Sequence, residues 1–180
     1  MRGARVKDAI ELKGCLAGKG GETFTLVPSG NDRNCMAVVR GRIMVYPTKL
    51  YKQWRREAKE TILTRYSPGQ FEEPVVVYAW IYGGRGFMET RDWDNVQKCV
   101  GDAMAEAGVL PVPAGPPLKS GEERRGDDDV RSVKGWRTFY FTREEHMALT
   151  GQAAARKADS LTARLFIQLV EARKVDPFMV

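Results

Sequence analysis

The run PVVVYAWIY at residues 74–82 constrains this chain most. It is continuously apolar and rich in β-branched and aromatic side chains, so it reads as a central strand buried on both faces. Nine residues are far fewer than a membrane span needs, and no other run approaches that length. Whatever else the chain does, it has to build layers over this strand.

The neighbouring segments supply those layers. ETFTLV at 22–27 alternates and reads as a strand, closed by Pro28 and the turn-rich PSGND. CMAVVRGRIMVY at 35–46 is two short apolar runs around Arg40-Gly41-Arg42, which predicts a hairpin. Next, Thr48 is a suitable N-cap for a helix whose inward face carries Leu50, Trp54, Ala58 and Ile62. Lys49, Lys52, Arg56 and Lys59 line a different face, which serves either as a solvated surface or as a row of phosphate contacts. PVPAGPPLKSGEERRG at 111–126 holds four of the chain's nine prolines and predicts a long loop. DDDVRSVKGWRTFYFT reads as an acidic turn, a strand, a Lys134-Gly135 turn and a second strand. Beyond it, 143–174 reads as helical, with a stripe of Leu161, Leu165 and Leu169 broadened by Phe166 and Val170. The order β-β-β-α-β-α-β-β-α predicts an α/β (α+β) fold, a mixed β-sheet with packed helices. The expected organisation is a basic N-terminal extension at 1–22, where Val6, Ile10 and Leu12 give a weak helical stripe, a core domain at 23–141, and a helical extension at 142–180.

Several function classes are disfavoured by composition. Three widely spaced cysteines, Cys15, Cys35 and Cys99, argue against a disulfide framework, and no CxxC pair points to zinc. A single histidine, His146, leaves little for His-based metal sites or a Ser-His-Asp arrangement. The first residues, MRGARVKDAIELKGCLAG, are interrupted by charges and carry no apolar h-region, so the chain reads as soluble and cytoplasmic. A formal charge of +6 is compatible with a polyanionic partner, although plain soluble enzymes carry as much.

Chemistry concentrates in RDWDNVQKCVGDAMAEAG, residues 91–108. Helical spacing stacks Asp94, Lys98 and Asp102 a turn apart, opposite an apolar side of Trp93, Val96, Val100, Ala103, Met104 and Ala107. A purely structural reading is available: Asp92 as N-cap, Asp94 as a first-turn acid, Asp94 to Lys98 as an i,i+4 pair. A second acid cluster, Asp127-Asp128-Asp129, precedes the next strand. Clustered carboxylates repel unless a cation neutralises them, and Mg²⁺ accepts carboxylate oxygens together with substrate phosphates.

In these segments the chain resembles the RusA family of Holliday-junction resolvases. RDWDNVQK is similar to the family's acid-x-acid-Asn pair with a lysine four residues past the second acid, and CVGDAMAEAG to the helix that follows. LVPSGNDRN, GRIMVYPTKLYKQWRREAKETI and GDDDVRSV resemble the family's first strand and turn, its second strand and first helix, and its Asp-Asp turn, covering roughly 23–135. The resemblance implies a RusA-like homodimer that binds Mg²⁺, with Mn²⁺ as its substitute, and resolves four-way junctions by paired symmetric nicks. It implies Asp92 and Asp94 as metal ligands, Lys98 as the catalytic lysine, and a third carboxylate from the acidic turn. Asp127 is favoured there, with Asp128 and Asp129 open. Asp102 would be a supporting contact. Branched DNA would be held by Lys49, Lys52, Arg56, Lys59, Arg33, Arg40, Arg42, Arg85 and Arg91. Two alternatives stay open: a non-catalytic branched-DNA-binding protein, and a nuclease acting on flaps or other branched forms.

Overall fold

The structure, a computed structural model, describes residues 8–12, 16–17, 23–24, 34–82, 93–112, 126, 131–141 and 164–175. The elements in chain order are β1 (Ile10–Leu12), β2 (Leu16–Ala17), β3 (Thr23–Phe24), β4 (Asn34–Val39), β5 (Arg42–Pro47), α1 (Lys49–Leu63), β6 (Val75–Tyr82), α2 (Trp93–Glu106), β7 (Val133–Phe141) and β8 (Arg164–Glu171). A short 3-10 turn follows at Ala172–Lys174. The fold is therefore mixed α/β, with two helices and a mixed sheet among the described residues. None of these helices is long and apolar enough to cross a membrane.

The main sheet has the order β1-β8-β6-β7. β6 pairs in parallel with β7 and antiparallel with β8, and β1 closes the far edge antiparallel to β8. Because β6 and β7 are parallel, the chain has to cross over between them, and α2 lies in that crossover. β6 is internal to the sheet, as its apolar run predicts. Its burial alternates at first: Val75, Val77 and Ala79 are buried, while Val76 and Tyr78 are half-buried. The half-buried side carries a stack of Tyr78, Trp80 and Phe139 with the Arg137 guanidinium over Tyr78.

The core cluster of the described residues lies on the other side. Val75, Val77, Ala79 and Ile81 of β6 join Leu165, Ile167 and Leu169 of β8 and Ile10 and Leu12 of β1. Tyr51, Trp54, Ala58 and Ile62 of α1 and Val96, Cys99, Val100, Ala103 and Met104 of α2 close over them. The inward face of α1 thus uses Tyr51 where the sequence reading placed Leu50, which is half-buried. Tyr66 ties the layers together by accepting a hydrogen bond from the Leu169 amide at 3.0 Å.

Three expectations need correction. Residues 164–171 are a strand, not part of a C-terminal helix. Leu165 and Leu169 are four apart, a spacing that satisfies a period of two as well as a helical one, and the buried Ile167 between them selects the strand. The weak helical stripe through Ile10 and Leu12 is likewise a strand, so both segments belong to the main sheet. Lys134-Gly135 is not a hairpin turn. One strand runs through it, and the register shifts there: Val75 faces Val133 while Val76 faces Gly135, a bulge of the kind glycine marks.

Candidate functional site

α2 starts where the apolar period of its sequence starts, and it ends on a glycine. Gly108 takes φ +67°, with its amide on the Ala105 carbonyl at 3.0 Å and the Val109 amide on the Met104 carbonyl at 3.3 Å. This is a Schellman ending, which satisfies the last carbonyls and fixes where the helix stops. The start of α2 is held by the Trp93 ring, which meets Trp136 of β7 edge-on with centroids 6.0 Å apart.

Asp94 follows in the first turn, exposed, and Lys98 is exposed one turn later. The phenol of Tyr140, near the C-terminal end of β7, has its pKa raised first by burial and then by the Asp94 carboxylate. That coupling places Asp94 beside the carboxyl end of the parallel pair β6–β7. Ligands of open α/β sheets bind outside the carboxyl ends of parallel strands, next to a helix start.

Asp102 does something different from Asp94. Its Oδ2 accepts a hydrogen bond from the Tyr51 hydroxyl at 2.9 Å, and the Tyr51 amide in turn donates to the Thr48 Oγ1 N-cap at 3.1 Å. One turn along both helices, Arg55 pairs with Glu106 and lays its guanidinium 5.9 Å from the Tyr51 ring centroid. Partial burial opposes the Arg55 charge, yet the hydrogen bond and charge of Glu106 outweigh it and raise its pKa. Tyr51 to Asp102 and Arg55 to Glu106 advance in the same direction, so α1 and α2 run parallel where they touch, with the first turns of α1 beside the last turns of α2. Asp94 lies eight residues, about 12 Å, before Asp102 and toward the end from which the β4–β5 hairpin enters α1.

On α1, Lys49, Lys52 and Arg56 are exposed and Lys59 is half-buried. None takes part in the ion pairs found among the described residues. Arg40 and Arg42 stand exposed at the hairpin tip, where Arg40 and Gly41 both take positive φ, +49° and +75°. Asp92, Asp127, Asp128, Asp129, Arg33, Arg85, Arg91 and His146 lie outside the described residues. So does the 111–126 loop apart from its ends, Pro111, Val112 and Gly126.

Those ends are held together: a Cβ at Gly126 would overlap the Leu110 carbonyl, and the buried Ser132 hydroxyl donates to the Pro111 carbonyl at 2.8 Å. Gly126 and Ser132, which flank the acidic triplet, therefore sit at the C-terminal end of α2. The helix from Asp94 to Glu106 spans about 18 Å. Among the described residues no group of three His, Cys, Asp or Glu side chains converges.

Sequence reasoning missed two participants. Tyr140 could have been found by strand parity, since Trp136, Thr138 and Tyr140 share one face of β7, the face turned toward α2. Tyr51 as the anchor of Asp102 leaves no local signal, because its partner is 51 residues away. No protein-family model matches the chain, and no curated protein is significantly similar to it.

Proposed function

We propose that the protein is a divalent-metal-dependent endodeoxyribonuclease acting on branched DNA, with a RusA-like resolution of four-way junctions by two copies as the specific form. The observation that carries it is the exposed Asp94–Lys98 pair on the first turns of α2, beside the carboxyl end of the parallel strands. The spacing supports the same reading, since it is that of the family the sequence resembles.

Asp94 is the described carboxylate of the ligand set, and its hard oxygen donors suit Mg²⁺ or Mn²⁺. Asp92 and one acid of the 127–129 triplet complete the set by the motif alone. The flanks of the triplet, Gly126 and Ser132, stand at the other end of α2 from Asp94. A bound divalent ion would supply Lewis acidity and offset charge on a phosphoryl oxygen. Lys98, one turn beyond Asp94, would present a cation to the phosphodiester as charge develops on it. Asp102, occupied by Tyr51, would hold α1 and α2 in register so that the basic stripe and the acids act on the same strand. Hydrolysis adds water across the P–O3′ bond, leaving 5′-phosphate and 3′-hydroxyl ends as the resemblance implies.

The test is incubation with Mg²⁺ on a labelled four-way junction and on matched linear duplex, with Asp94→Asn alongside. The expected result is paired nicks in the junction only, lost in Asp94→Asn while binding persists. Tight junction binding by the wild type with no cleavage in Mg²⁺ or Mn²⁺ would instead make the protein a branched-DNA-binding protein. Cleavage of flaps at equal rates would widen the substrate class.

A further inference from the structure

Every residue from Asn34 to Tyr46 is exposed, although this hairpin is one of the most apolar stretches of the chain. The register pairs Met36 with Val45 and Val38 with Ile43, so these four side chains form a two-by-two array on one face. Their exposures are 76%, 57%, 73% and 72%. The array holds no charged or polar side chain. Arg42 lies on the opposite face, with Cys35, Ala37, Val39, Met44 and Tyr46.

An isolated two-stranded hairpin is marginal in water, and monomers rarely expose a contiguous apolar patch of this kind without using it. Each of the four side chains would gain about 1.5–3 kcal/mol on full burial. With about 100 Å² per side chain, two such faces together approach the roughly 1,000 Å² of a specific interface. Nucleic acid is a poor occupant, because a face with no cation offers nothing to phosphates.

The array is complementary to itself. Its larger members, Met36 and Ile43, lie on one diagonal and its smaller ones, Val38 and Val45, on the other. When two hairpins stack face to face with their strands antiparallel, Met36 meets the Val38 of the second copy and Ile43 meets its Val45. Large then opposes small across sheets about 10 Å apart. The same arrangement sends the two Arg40-Gly41-Arg42 tips to opposite ends, whereas stacking with both tips at one end would crowd four like charges.

We propose that the Met36–Val38–Ile43–Val45 face of the β4–β5 hairpin is the docking surface for a second copy of this chain, joined hairpin on hairpin in antiparallel orientation. The contact is isologous and closes at two copies. The inference stands on the hairpin and not on the nuclease reading, for which it would provide the paired sites.

Sedimentation equilibrium of the full chain, free of DNA and metal, at about 1–100 μM tests it. A dimer is expected in that range. Val38→Asp combined with Ile43→Asp should weaken it at least about 100-fold while the thermal unfolding midpoint of the body is retained. Should the double aspartate not fold, Met36→Gln with Val45→Thr makes the same measurement with milder changes, and Val112→Asp, at an exposed position elsewhere, serves as control. In a Cys35→Ser background, a mixture of Met36→Cys and Val38→Cys chains should join through a short bismaleimide. A monomer throughout the range, or a dimer indifferent to the hairpin changes, overturns the proposal. So does loss of junction binding in the double aspartate of a monomeric protein, which would make the hairpin a DNA contact. Joining of Met36→Cys to Val45→Cys instead overturns the antiparallel orientation.

Discussion

At Tyr140 the phenol is harder to ionise than a free tyrosine, first because it is partly buried and then because the Asp94 carboxylate is near. The sign is fixed by charge: a neighbouring anion disfavours formation of a phenolate. Asp94→Asn removes that anion and leaves the burial, so the Tyr140 midpoint should fall toward, without reaching, that of free tyrosine. Ultraviolet titration of the wild type and Asp94→Asn, each compared with its Tyr140→Phe derivative to isolate one phenol, measures the shift. An unchanged midpoint would separate β7 from the start of α2 and remove the geometric support for the site. Asp94 and Lys98 were legible in the sequence because their relation is local, four residues on one helix face. Tyr140 beside Asp94 was not, because it lies 46 residues from Asp94 in sequence and meets it only once β7 has paired with β6.

Among the elements, β6 and the hairpin follow from their apolar runs and both helices from periodicity, whereas β8 shows how one spacing can serve two periods. Leu165 and Leu169 alone fit a helix or a strand. Ile167 separates the two readings, because a helix would turn it away from that pair and the sheet buries it beside them, opposite Ala79 and Ile10. Ile167→Ala should therefore cost about 2–5 kcal/mol in denaturant unfolding, the range for a buried aliphatic truncation. A loss below about 0.5 kcal/mol would be what an exposed helical position gives and would return the segment to a helix. Gly135 misled for a related reason. Glycine punctuates both turns and bulges, and only the pairing of Val76 with Gly135 distinguishes them. The hairpin carries the converse lesson: its apolar strands read like any interior pair, but apolarity in a sequence does not say whether the covering surface belongs to the same chain.

For the molecule as a whole, a charge of +6 does not by itself identify an anionic partner, but the placement of that charge is informative. Lys49, Lys52 and Arg56 are exposed along α1, which runs beside α2. The acidic partners nearest that interface are already taken: Glu106 by Arg55 and Asp102 by Tyr51. The cations of the stripe are thus left to face solvent or a ligand. If they hold DNA phosphates, binding releases condensed counterions, and the logarithm of affinity falls linearly with the logarithm of salt concentration. Replacing Lys52 and Arg56 together by glutamine should then weaken junction binding and reduce the steepness of that line by about two, one for each lost phosphate contact. Linear duplex should lose affinity in the same proportion as the junction, because these contacts read backbone and not branch geometry. Fluorescence anisotropy across a salt series, with both DNAs and both proteins, distinguishes the cases. An unchanged slope would make the stripe a solvated surface and move the DNA-binding face elsewhere, with the arginines of the hairpin tip next to be replaced.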